Sequence, residues 1–385
     1  MSMQTLPPLA LYAHFPWCVQ KCPYCDFNSH KAPGKIPEQI YVDALLEDLA
    51  LDLQHFAPRQ LVSIFMGGGT PSLFSPDAIA RLLDGIKRGL PFMPDMEVTL
   101  EANPGTIEHG QFAAYRAVGV TRVSLGAQSF QAEQLQKLGR IHGSGDIAAS
   151  VEELRRAGLD NFNLDLMYGL PGQTPQQALD DLRQAIALAP THLSHYQLTL
   201  EPGTAFFHRP PKLPDGEDCY LMQLQCQAQL AEAGYSQYEV SAYGLAGRQS
   251  VHNRNYWEFG DYFGLGAGAH GKLSSMEKIL RSERSKQPRE YLELEPKRRL
   301  VLQRPVSPAD LPFEFMLNAL RLTDGFDQTL FESRTGLPWN SVLPNISEAN
   351  RRGLLEPLAD QKWRPTELGR HFLNDLIEIF LPDTQ

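Results

Sequence analysis

The sequence has no excess of basic charge. Its 385 residues carry 35 Lys and Arg against 45 Asp and Glu, a formal net charge of −10. That balance argues against a non-specific nucleic-acid binder, whose surface must be basic. It also lacks any uncharged apolar run of about 18 or more residues, the length a spanning helix needs. Residues 1–8 hold no Lys or Arg and no long apolar block, so a secretory leader is not expected. A disulfide framework is missing too. The five cysteines are odd in number and uneven in placement: Cys18, Cys22 and Cys25 crowd one short segment, while Cys219 and Cys226 stand far off. A reducing cytoplasm and a metal site fit that distribution better. What is present is an ordinary globular mixture, 42% apolar and 21% charged. At about 150 residues per domain it makes two to three domains.

Strand and helix patterns alternate through the first half. Strands are expected at 9–15, 61–66, 96–100, 121–125, 161–166 and 192–200. Helices are expected at 37–56, 75–90, 108–118, 131–138, 146–157 and 175–188. Six such units imply a parallel sheet with crossover helices. About 250 residues are usual for a closed eight-fold barrel. An incomplete six-unit α/β barrel is therefore the preferred reading, with an open doubly wound sheet as the alternative. The Pro-rich stretch 202–214 reads as a connector, 215–233 as a helix and 236–242 as a strand. Residues 281–308, rich in Pro and charge, read as a linker or irregular segment. The last part, with helices at 312–322, 343–352 and 366–381 and a hairpin at 354–364, suggests a small winged-helix unit. The divisions expected are 1–205, 206–305 and 306–385.

The chemistry concentrates after the first strand, in Cys18-Val-Gln-Lys-Cys22-Pro-Tyr-Cys25. Barrels of this class keep their chemistry at the carboxyl ends of strands. Three thiolates on one loop can hold three irons of a 4Fe–4S cluster and leave the fourth open to an exogenous chelator. The competing reading is a zinc site with His30 as fourth ligand. Other strand ends carry polar groups: Gly67-Gly68-Gly69-Thr70, Glu101, Gln128, Arg140 after a helix, and Asp165 within the fifth strand. Adjacent glycines let backbone approach a ligand. Carboxylates suit ribose hydroxyls or an ammonium, and Arg140 suits a carboxylate.

The C-x3-C-x2-C spacing resembles the signature of the radical S-adenosylmethionine (SAM) superfamily. That resemblance implies a partial barrel in which SAM chelates the open iron. An aromatic residue commonly precedes the third cysteine there, and Tyr24 fills that slot. The segments YxHxPWCxxxCxYCxF, GGGTP, LEANPG, GxQSF, LGRIH and NxDLMYGLPGQT narrow the resemblance to the oxygen-independent coproporphyrinogen III oxidase branch. The match runs from about residue 9 into the C-terminal unit. It implies SAM contacts at Tyr12, Gly68, Gly69, Thr70, Glu101, Gln128, Arg140 and Asp165. The glycine-rich stretch 260–271 either closes the mouth near the adenosine, through Ala267 or Gly268, or is a packing loop.

That branch holds true oxidases and relatives assigned as heme chaperones. Three features resemble the second group. Phe27 occupies the slot where the oxidases carry a fourth cysteine. Only 17 residues precede Cys18, where the oxidases have a longer arm. His252-Asn253-Arg254-Asn255-Tyr256-Trp257 matches an HNxxYW motif whose His is implicated in holding heme. Imidazole is a common axial ligand of heme iron, and Tyr256 and Trp257 offer flat apolar contact. The bland reading is a hydrogen-bonded His beside core aromatics. The resemblance implies a cytoplasmic heme chaperone with a 4Fe–4S cluster, SAM and heme. It further implies cluster-linked dimerisation and acceptors among respiratory heme proteins at the inner membrane face. The alternative is an oxygen-independent coproporphyrinogen III dehydrogenase that uses a 5′-deoxyadenosyl radical.

Overall fold

A computed structural model of the chain describes residue 3, residues 5–105 and residues 111–382. Six buried strands run in the expected order: β1 (Leu9–Phe15), β2 (Leu61–Gly68), β3 (Phe92–Ala102), β4 (Arg122–Gln128), β5 (Phe162–Tyr168) and β6 (His192–Gln197). Each pairs in parallel with the next, as strands joined by crossover helices must. The crossovers include α1 (Glu38–Asp52), α2 (Pro76–Gly89), α3 (Phe112–Ala117), α4 (Ala132–Lys137), α5 (Ser144–Arg156) and α6 (Pro175–Ala187). Their ends follow local chemistry. Ser75 caps α2 by accepting from Ala78 N, with Pro76 next, and Thr174 and Gln177 form a capping box on α6. The expected start of α3 at residues 108–110 lies outside the described residues.

The sheet goes further than the six units. The segment 236–242 is two short strands, β7 (Ser236–Gln237) and β8 (Ala242–Gly244), after a helix α7 (Gly216–Glu232). A short helix α8 (Val251–Trp257) then leads into β9 (Asp261–Leu265), β10 (His270–Ser274), β11 (Ile279–Arg284) and β12 (Leu300–Pro305). The order across the sheet is β12-β11-β10-β9-β1-β2-β3-β4-β5-β6-β8-β7. Strand β9 lies parallel to β1, a seventh parallel strand inside the glycine-rich stretch. The two edges do not pair, so the barrel is open, as expected of a partial (β/α)6 barrel.

The segment 281–308 corrects the sequence reading. It is no linker: it supplies most of β11, two short helices and β12. Two of its arginines, Arg284 and Arg299, are buried against α1. Arg284 is only 2% exposed and reaches Asp52 at 2.7 Å and Asp48 at 3.1 Å. Tyr291 donates to Asp48 at 2.5 Å, and Arg299 reaches Glu47 at 2.8 Å.

One hydrophobic core lies between the barrel sheet and its helices. A second gathers Phe315, Phe326, Phe331 and Ile346 in the C-terminal unit and takes in Phe259 and Ile279 from the sheet extension. That unit has helices at Leu311–Ala319, Gln328–Thr335 and Leu343–Arg351 and a three-stranded antiparallel sheet, with the expected hairpin formed by Leu355–Pro357 and Lys362–Pro365. The expected last helix is two, Glu367–His371 and Leu373–Glu378, broken at Phe372 where ψ is 46°. Ion pairs Arg281–Glu314, Arg254–Asp324 and Arg321–Glu239 tie the unit to the barrel. No helix among the described residues is long and apolar enough to cross a membrane.

Candidate functional site

The loop after β1 is folded back by backbone bonds. Cys25 N donates to Cys22 O, and residues 17–18 pair with residues 30–31 as a short parallel ladder. The three thiols are half-buried. Burial raises the Cys18 and Cys25 thiols, partly offset by hydrogen bonds from Thr70 and Ser29. His30 does not turn toward them; its Nε2 sits 3.1 Å from Asn28 Oδ1. The zinc reading loses the fourth ligand it needs.

The glycine turn packs directly on this loop. Gly69 N donates to Phe15 O at 2.6 Å and Thr70 N to Trp17 O at 2.8 Å. A Cβ on Gly69 would fall 2.6 Å from Trp17 O, so only glycine permits the approach. Gly68 has φ +111°, and a Cβ there would strike the His14 ring at 2.3 Å. Its N–H donates to Glu101 Oε2 at 2.9 Å. Burial, then the neighbouring Asp165 charge, pushes the Glu101 carboxyl up to about 8, against the pull of that N–H. Burial thus disfavours its charged form.

Arg140 enters from the loop after α4. Its Nη2 donates to Gly126 O at 2.6 Å and to Asn103 Oδ1, while Nη1 lies 3.7 Å from Cys22 Sγ. Asn103 Nδ2 in turn donates to Thr70 Oγ1 at 2.8 Å. Gln128 ends β4 with φ +67°, which turns its carboxamide to accept from Tyr196 OH at 2.8 Å. Asp165 accepts from Asn163 Nδ2 at 2.7 Å and Ser124 Oγ at 3.2 Å.

One cavity of about 130 Å³ joins these groups at the strand ends. Cys18, Cys22, Tyr24 and Cys25 form one wall, and Gly68, Gly69, Thr70, Glu101, Gln128, Arg140 and Asp165 form the others. Three soft thiols facing carboxylate, amide and guanidinium groups are a donor set that fits an iron–sulfur cluster beside a zwitterionic ligand.

The remaining candidates sit elsewhere. Tyr12 faces a larger side cavity of about 680 Å³. Its hydroxyl lies 2.9 Å from His14 Nδ1. His14 Nε2 donates to Asn28 O at 2.9 Å, so Nδ1 accepts from Tyr12, and burial pushes this imidazole down to about 4. Ala267 lines neither cavity. Its N–H donates to Tyr41 OH and its carbonyl accepts from Asn28 Nδ2 at 2.9 Å. Gly268 is on the side-cavity wall. His252 is on α8, 2% exposed, inside the barrel. Its Nδ1 is 2.9 Å from Ser63 Oγ, and its ring stacks on Phe65 at 5.0 Å. Nε2 is buried without a hydrogen-bond partner among the described residues. Burial, then the Arg122 charge, pushes His252 down to about 3. Tyr12 and Tyr256, both on the side-cavity wall, stand 6.5 and 5.0 Å from its ring.

Sequence reasoning overlooked Tyr196, His14 and Asn28 as parts of the site. Tyr196 could have been found as an inward position of β6, and His14 from its place two residues after Tyr12. Asn28 carries no such signal. It also overlooked Glu97, whose carboxylate caps α8 by accepting from Val251 N and His252 N at 3.1 Å and Ser250 Oγ at 3.2 Å.

Comparisons with known proteins agree with this geometry. Residues 12–185 match the radical SAM superfamily, and residues 306–372 match the HemN C-terminal domain. The chain is 50% identical to the heme chaperone HemW of Haemophilus influenzae, over 99% of this chain and 100% of that one. It is 49% identical to the heme chaperone HemW of Escherichia coli over the same shares. Among solved structures, the coproporphyrinogen III oxidase HemN of Escherichia coli superposes with a TM-score of 0.82 at 23% identity, over 97% of this chain and 90% of that one. That likeness is one of fold.

Proposed function

The chain belongs to the HemW family within the radical SAM superfamily, and on that premise we propose that it is a heme chaperone. Cys18, Cys22 and Cys25 hold a 4Fe–4S cluster. SAM lies beside it, with Arg140 at its carboxylate and Gly68, Gly69, Thr70, Glu101, Gln128, Asp165 and Tyr12 around it. Tyr24 packs against the cluster loop, and Ala267 braces the wall through its backbone. A cluster held by Cys18, Cys22 and Cys25 would supply an electron to SAM bound beside it. The chain's own residues keep that site dry and preformed. Asn103 fixes both Arg140 and Thr70, and Glu101 is held in place by the Gly68 N–H.

The observation that carries the reading is the meeting of three thiols and the strand-end polar groups in one cavity. The heme role rests on full-length kinship with relatives named heme chaperones. His252 contributes the heme contact through the HNxxYW motif. Its free Nε2 is available once Tyr12 and Tyr256 turn aside. Heme passes to acceptor heme proteins, respiratory ones at the inner membrane face among them, from a cytoplasmic chain that pairs as a homodimer through its cluster.

Heme titration of the wild type and His252→Ala, followed by absorption, tests the assignment. The variant should lose affinity; unchanged binding removes His252. The oxidase fold leaves a coproporphyrinogen III dehydrogenase as the rival reading, with Phe27 in its fourth-cysteine slot against it. Anaerobic protein given SAM, reductant and coproporphyrinogen III should form no protoporphyrinogen IX. Formation over many turnovers would overturn the chaperone reading.

A further inference from the structure

Two imidazoles, His14 and His270, line the large cavity, and His252 is not among its wall residues. Both ring nitrogens of His14 are taken, by Tyr12 OH and Asn28 O, which leaves His270. It begins β10 and is exposed, at the lip where the sheet extension meets the barrel. Neither ring nitrogen makes a hydrogen bond among the described residues. Glu283, its partner across β11, stands 3.8 Å from Nδ1. Both ring nitrogens are therefore free to meet a ligand, with a carboxylate near enough to favour the ring electrostatically.

The surroundings suit one class of ligand. The cavity holds about 680 Å³, while pockets for drug-sized ligands run roughly 300–1,000 Å³. Aromatic surface is present: Tyr256 and Tyr262 have centroids 4.2 Å apart, and Phe27 is 58% exposed. Lys21 and Lys286 border the same space, together with the carboxyls of Asp26 and Glu101. An iron porphyrin has a planar apolar body, two carboxylates and an iron that takes imidazole. We infer that heme docks in this side cavity with His270 as an axial ligand of its iron and with Lys21 and Lys286 at its propionates.

This inference rests on the heme-chaperone reading and adds to it the residue that meets the iron. His252, one ring behind the wall, is a separate and deeper contact.

Titration of the cluster-loaded, full-length protein with hemin, read by the Soret band, tests it. His270→Ala should weaken binding by about tenfold or more and shift the band. His270→Cys should give a thiolate-ligated spectrum, which a merely structural histidine would not. Lys21→Ala and Lys286→Ala should each weaken hemin by roughly two- to fivefold, and leave its dimethyl ester unaffected. Circular dichroism should find all four variants folded, since the three side chains are exposed. Wild-type affinity and spectrum in His270→Ala and His270→Cys overturn the inference alone. Failure of the wild type to bind hemin overturns the chaperone reading with it.

Discussion

Glu101 decides more than its size suggests. Its carboxyl is lifted from 4.5 to about 8 by burial, so between those values the folded chain keeps a proton that the unfolded chain releases. Stability must therefore fall as pH rises through that window. The slope is at most roughly 1.4 kcal/mol per pH unit. Glu101→Gln keeps the shape and removes the titration. Its urea midpoint should be flatter across the same window, and parallel profiles would show that Glu101 is not the group responsible. The cysteines make the opposite kind of prediction. Cys18→Ala, Cys22→Ala and Cys25→Ala should each strip iron and sulfide from anaerobically prepared protein while leaving far-ultraviolet dichroism unchanged. At this scale the sequence was legible where a polar residue sits on or at the end of a barrel strand: Glu101 and Gln128 near strand ends and Asp165 within β5 all line the expected cavity. It was not legible where the ligand-facing group depends on a distant partner. Asn28 joins the site through Ala267, 239 positions away, and nothing near it in the chain signals that.

Two elements show why reading by composition failed or fell short. The segment after β10 is rich in Pro and charge, which ordinarily marks exposed connecting chain. Two of its arginines, Arg284 and Arg299, instead turn to α1, where Asp48 and Asp52 lie in the core. Arg284→Ala would remove the cation from both carboxylates and leave Asp52 buried without its partner, while Asp48 keeps Tyr291 and Gly266 N, a loss of roughly 3–5 kcal/mol. Chemical denaturation measures it, and a change below about 1 kcal/mol, the worth of a surface pair, would restore the linker reading. Helix α8 is the second case. Ser250, its N-cap, is visible in the sequence, but the carboxylate that receives its first N–H groups comes from Glu97 on β3. Glu97 also faces the buried Arg122 at 3.9 Å. Glu97→Ala should cost about 3 kcal/mol or more and loosen His252 from Ser63. Faster exchange of the α8 amides, with those of β5 unaffected, would report it; uniform protection would speak against the cap.

At the scale of the molecule, the alternation of strands and helices was enough to expect an incomplete barrel, because parallel strands require crossovers and the run stops short of eight. The extension by β9 to β12 was hidden, since glycine and charge mask its strands. It nevertheless builds the wall that makes the large cavity and the bridge to the second core. The same scaffold thus places a small polar cavity beside three thiols and a wide one beside an exposed imidazole. Every functional assignment returns to whether those thiols hold a cluster with one open iron. The most direct measurement is iron and acid-labile sulfide analysis of oxygen-free protein, with electron paramagnetic resonance of the reduced state before and after SAM. The account predicts a 4Fe–4S complement and a spectrum that changes when SAM binds. Bound zinc, absent sulfide, or a spectrum indifferent to SAM would contradict it.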